Sequence, residues 1–69
     1  MTQWILRCKD GFVVYHYGAG VSKETSIENA TVFTPDLHKV WGDSVMDLAK
    51  ERGYEDLEWK AVKVEEIQN

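Results

Sequence analysis

Hydrophobic residues recur along this chain with two different periods. Near the start they come in short runs, QWILRCK over residues 3–9 and FVVYHY over residues 12–17, rich in the β-branched and aromatic residues that favour strands. Between Thr34 and Gly53 the period lengthens. Leu37, Val40, Trp41, Val45, Leu48, Ala49 and Arg52 return at three- and four-residue steps, one stripe on a helical repeat. Both ends of this helix are marked. Thr34 suits the N-cap, Pro35 the first helical position, and Asp36 the positive end of the macrodipole. Lys50 and Arg52 suit the negative end, and Gly53 the left-handed position just beyond. Gly42 interrupts the pattern at a cost of about 0.5–1 kcal/mol against alanine. Asp43 or Ser44 offers a cap for a second start, but the stripe keeps its phase across Gly42 and favours one helix.

Asp10-Gly11 between the first two runs is a strong signal for a two-residue hairpin loop. That loop pairs Lys9 with Phe12, Cys8 with Val13, Leu6 with Tyr15 and Trp4 with Tyr17. Opposite partners share a face. One face then carries Trp4, Leu6, Cys8, Val13, Tyr15 and Tyr17 and should meet the helix stripe. The other carries Ile5, Arg7, Lys9, Phe12, Val14 and His16. It stands in water or meets a partner, with Ile5, Phe12 and Val14 as its candidate interface. Gly18-Ala19-Gly20 turns the chain without the helix start that a phosphate-cradling loop requires. Val21–Thr25 reads as a short strand or loop, Ser26–Asn29 as a single helical turn, and Ala30–Phe33 as a short strand feeding the helix. After an acidic connector, Tyr54–Asp56, residues 57–65 form the last strand, placed beside the first. A bulge near Ala61 reconciles Leu57, Trp59 and Ala61 with Val62 and Val64, and Ile67-Gln68-Asn69 make a frayed end. The order β-β-β-α-β describes one α+β domain over residues 1–69, a small, mostly antiparallel sheet of three or four strands with one helix across one face.

Composition narrows the function more than it names it. A 69-residue chain has a thin core, since domains near this size bury only about 60% of their unfolded surface. No apolar run approaches the ~20 residues of a membrane span, and the first residues lack the features of a secretory signal. A lone Cys8 makes no internal disulfide, so a reducing, cytoplasmic setting is expected. Charge is uneven: residues 1–35 carry three acids and three bases, while residues 36–69 carry nine acids and five bases and hold the entire net charge of −4. That balance disfavours direct binding of nucleic-acid phosphate and suits a protein partner with a basic surface. On the helix, Asp43, Asp47 and Glu51 follow at i, i+4, i+8, where like charges repel by roughly 0.2–0.5 kcal/mol per pair. With Glu55, Asp56 and Glu58 they make a candidate partner-binding ridge. The plainer reading is a solvated face with Lys39 and Lys50 relieving the repulsion.

Catalytic constellations are thin. The inferred register puts Cys8 and His16 on opposite faces, out of the hydrogen-bond reach that an activated thiol needs. The chain has two histidines, His16 and His38, with no spacing that closes a zinc site, and His38 reads as a solvent-facing residue of the first helical turn. No metal, cofactor or enzymatic activity is expected. Trp4, Trp41 and Trp59 fill the core unless one is left at the surface, where it becomes a contact anchor.

Trp4-Ile5-Leu6 with Lys9-Asp10-Gly11-Phe12-Val13, then Ala30-Thr31-Val32-Phe33-Thr34 before a helix, then Trp59 in a closing strand, resemble small accessory proteins of phages and prophages. By size and acidity, though by no shared motif, the chain also looks like anti-CRISPR inhibitors. The resemblance implies a phage protein that docks on a host nucleic-acid-handling protein and modulates or inhibits it in the host cytoplasm. It carries over no catalytic residue. The alternative is a homo-oligomeric structural or regulatory module associating through the outer sheet face, so monomer and homodimer both stay open.

Overall fold

A computed structural model describes residues 2–63. Four strands, β1 (Thr2–Cys8), β2 (Gly11–His16), β3 (Gly20–Glu24) and β4 (Glu58–Lys63), form one antiparallel sheet in the order β3-β2-β1-β4. A 3-10 turn, Ile27–Asn29, and one helix, α1 (Pro35–Glu51), lie between β3 and β4. This is the expected α+β sandwich, with the last strand beside the first.

The helix ends follow the chemistry of their residues. The Thr34 hydroxyl accepts from the Leu37 amide at 3.3 Å, and Pro35 opens the first turn. At the other end Gly53 takes φ +82. Its amide donates to the Lys50 carbonyl at 2.9 Å and the Tyr54 amide to that of Ala49 at 3.2 Å, the paired closure that a left-handed glycine permits. The helix runs unbroken through Gly42, which is buried against the sheet. A Cβ there would lie 3.6 Å from both the His38 ring and the Trp59 indole, ordinary contact.

The hairpin differs from expectation. Cys8 pairs with Gly11 and Arg7 with Phe12, so Lys9 and Asp10 form the loop. Neither has positive φ, so it is not the mirror-image turn that an Asp-Gly loop would make. Gly11 serves the sheet instead, because a Cβ on it would collide with the Glu24 backbone oxygen. The register moves by two residues, which preserves parity, and every strand residue keeps its expected face. Leu6, Cys8 and Val13 are buried beneath the helix with Val21, Phe33, Val45 and Ala49, while Trp4, Tyr15 and Trp59 pack at the margin. Tyr17, expected on that face, lies beyond the end of β2 and is 61% exposed.

The β1–β2 ladder extends no further than those two pairs. Beyond them the strands diverge, and Thr31–Phe33 fills the fork. Trp4 and Phe33 exchange both backbone hydrogen bonds at 2.8 Å. On the other side the Thr31 amide donates to the Val13 carbonyl at 3.5 Å. The Tyr15 amide donates to the Thr31 hydroxyl at 2.7 Å, a side chain standing in for a ladder carbonyl. The expected strand Ala30–Phe33 is therefore a wedge. Ser26 caps the expected helical turn before it, accepting from the Glu28 amide.

That turn covers the outer sheet face. Ile5, Ala30 and Val62 form a second buried cluster, with Phe12, Ile27 and Val32 packed against it. Ile5 is fully buried, which corrects its expected place in an open interface, and Phe12 and Val14 are half-buried. β4 pairs with β1 in unbroken register from Glu58↔Arg7 to Lys63↔Thr2, without a bulge at Ala61. Continuous pairing suffices because Val62 has its own apolar surroundings on the outer side. The expected strand end at residues 64–65 and the frayed 67–69 lie outside the described residues.

Two substitutions test this account by urea unfolding. Gly42→Ala should raise stability by about 0.5–1 kcal/mol, the helix penalty of glycine removed at a site with room for a methyl. Thr31→Val should lower it by about 1–3 kcal/mol, because the Tyr15 amide loses its acceptor.

Candidate docking surface

The sheet-facing side of α1 runs through His38, Gly42, Val45 and Ala49; it keeps Leu37, Val45, Leu48 and Ala49 of the expected stripe in or against the core and rolls away from Val40, Trp41 and Arg52. Val40 is 67% exposed rather than inward. The cause lies in the sheet, where two indoles occupy the space. His38 stacks on Trp4 at 4.7 Å between centroids and meets Trp59 edge-on at 4.6 Å. Two large rings on the sheet favour small or flat partners on the helix, which His38 and Gly42 supply. His38 is thus a half-buried packing residue, not a solvent-facing one.

That roll determines what faces water. Asp36, Val40, Asp43, Asp47 and Glu51 follow at three- and four-residue steps on the opposite side, and all five are exposed. The ion pairs among the described residues are Arg7–Glu58 at 4.0 Å and Lys23–Asp10 at 3.9 Å. The row takes no part in them, and neither do Lys39 and Lys50, expected to relieve it. The acids predicted to continue the row sit in a different setting. Glu55, Asp56 and Glu58 are exposed, but they lie by the hairpin end. The Glu55 carbonyl accepts from the Lys9 amide at 2.8 Å, Asp56 adopts φ 54, and Glu58 faces Arg7 across the ladder. The six predicted residues therefore divide into a helical row outside the ion pairs of the described residues and a charge-mixed end. A 150 Å³ hollow at that end is bordered by Lys9, Lys23, Tyr54 and Glu55, and Lys23 lies 5.6 Å from the Tyr54 ring centre.

Cys8 is buried in the core, and His16 is exposed at the end of β2, where its Nε2 meets the Ser22 hydroxyl at 2.8 Å. The two are on opposite faces, as the register implied. Among the described residues no group of three or more His, Cys, Asp or Glu is placed to hold a metal ion, and no helix is long and apolar enough to cross a membrane.

Sequence reasoning missed Asp36, Val40 and Tyr17 as parts of the surface. Tyr17 meets Trp41 edge-to-face, with centroids 6.4 Å apart, and Trp41 is 37% exposed. The signal for Trp41 was present in the tryptophan count, but not which indole would be left out.

Family models, curated proteins and solved structures were each compared with the chain, and none matches.

Because Asp47 has a like charge one turn away on each side, Asp47→Lys should stabilise the fold by a few tenths of a kcal/mol or more at low salt, and the gain should fade at high salt. Urea midpoints at two salt concentrations measure it; a loss of stability at low salt would show that the row is held by favourable contacts.

Proposed function

We propose that this chain is a non-catalytic docking protein that holds a basic protein surface against the outer side of α1. The observation that carries the reading is the row Asp43, Asp47 and Glu51, exposed and outside the ion pairs of the described residues. Like charges at that spacing tax the helix, and a cationic partner converts the tax into attraction. Interactions of this kind chiefly raise the association rate and fix orientation. Proteins that handle nucleic acid carry the lysine- and arginine-rich surfaces that fit. A phage accessory protein that occludes such a surface in its host is the biological form this reading takes. Glu55, Asp56 and Glu58 play a lesser part, because Arg7 and Lys9 lie among them.

Affinity capture at low and high salt tests the proposal. The native chain should retain a basic protein at low salt and release it at high salt. The Asp43→Lys, Asp47→Lys, Glu51→Lys triple variant should retain at least tenfold less. Capture indifferent to both salt and charge reversal would overturn it.

A further inference from the structure

The sheet ends in two edge strands, β3 and β4. Backbone direction settles what β4 offers at its edge. Trp4 exchanges both of its backbone hydrogen bonds with Phe33, on the side of β1 away from β4. Bonding direction alternates along an antiparallel strand, so Gln3, Ile5 and Arg7 are the residues of β1 that turn toward β4. Their partners Val62, Lys60 and Glu58 turn inward to meet them. The amides and carbonyls of Trp59 and Ala61 therefore point out of the sheet, and nothing among the described residues pairs with them. Two kinds of side chain flank this open backbone. On the helix side stand Leu57 and Trp59, half-buried, and Ala61, exposed; on the outer side stand Glu58 and Lys60, both exposed. An apolar row along an unpaired edge invites another strand.

We propose that β4 pairs antiparallel with β4 of a second copy, centred on Trp59, so that two four-stranded sheets join as one. Opposite residues in such a pair share a face. A two-fold axis at Trp59 sets Glu58 opposite Lys60 of the second copy, and Lys60 opposite its Glu58. Both are non-hydrogen-bonded positions, where facing side chains lie closest. Arg7 lies 4.0 Å from Glu58, so charges along the outer face run positive, negative, positive across the junction. On the helix side Leu57 meets Ala61 and the two Trp59 residues meet each other. A register centred on Lys60 would set lysine against lysine, and one centred on Ala61 would set Lys60 against Val62. The charges thus select one register, and they select a second copy, because the strand is its own complement. β3 is not. Its Lys23 and Glu24 are neighbours, lie on opposite faces and cannot meet across an axis. α1 packs chiefly over β1 and β3, so the acid rows of the two copies stay clear of the junction, and both helices lie on one side of the joined sheet.

The test is sedimentation equilibrium of the full chain at concentrations up to about 1 mM, a range that detects even weak pairing, together with hydrogen exchange of the Trp59 and Ala61 amides. The native chain should show a monomer–dimer equilibrium, and both amides should slow as the dimer forms. Lys60→Glu sets acid against acid at two positions and should weaken the dimer at least about fivefold. Adding Glu58→Lys to it exchanges the charges and should recover the dimer. Ala61→Pro removes an outward amide that the monomer leaves unused, so it should abolish pairing. The charge variants, at exposed positions, keep the test decisive if the proline variant fails to fold. A chain that stays monomeric throughout, amides that slow only when a different protein is added, or a dimer indifferent to the charge changes would overturn the proposal. None of these outcomes bears on the acid row of α1, whose capture experiment stands separately.

Discussion

The wedge of Thr31–Phe33 between β1 and β2 is the constraint on which the rest of this structure depends. Two hairpin strands would ordinarily zip together along their whole length. Here they part after two pairs, and the wedge takes over the hydrogen bonds that parting leaves open. Buried or half-buried backbone groups must find partners, and at Tyr15 the partner is a hydroxyl. Because the wedge is extended, its side chains alternate. Val32 and the preceding Ala30 join the outer cluster, and Phe33 the inner one. One short segment thereby ties both layers of apolar packing together.

The wedge also sets the approach of the helix. Phe33 lies against Trp59 at 5.3 Å and Tyr15 at 6.4 Å, so the sheet presents a ridge of rings. α1 meets that ridge with His38, Gly42, Val45 and Ala49, and Leu37, Met46 and Leu48 pack alongside. Val40 and Trp41 are then left toward water, the first amid carboxylates and the second beside Tyr17. The surface assigned to docking is thus a by-product of how the core was filled, and it departs from what stability alone would select. Large apolar rings stay open and acids repel along a helix.

How much of this was legible in the sequence depends on the physical range of each signal. Local chemistry read correctly: Thr34, Pro35 and Gly53 bound the helix as their side chains and backbone freedom dictate, and Ser26 starts its turn. Strand faces survived a wrong loop, since a shift of two leaves parity intact. What escaped was decided at a distance. Gly11 is needed because Glu24 passes close behind it, which no dipeptide rule reports. Ile5 is buried because residues 27–32 return across it. The roll of α1 answers to Trp4 and Trp59, which lie far away in sequence. Of the site, the aspartate row was visible as spacing. Its separation from Glu55, Asp56 and Glu58 was not, since that turns on where Arg7 and Lys9 end up.

The strand order has a consequence for how the molecule comes into being. β1 is made before α1 and β4, yet its long partnership is with Glu58–Lys63, and the helix must be laid down between the two. Until that distant stretch appears, β1 keeps an unpaired edge along most of its length and Trp59 is missing from the ring ridge. Closure of such far-separated strands is slow compared with local turns, and unpaired edges invite stray association. A nascent or clipped chain that stops short of Trp59 would therefore be a sticky fragment, and assembly of this fold is in effect a single late event.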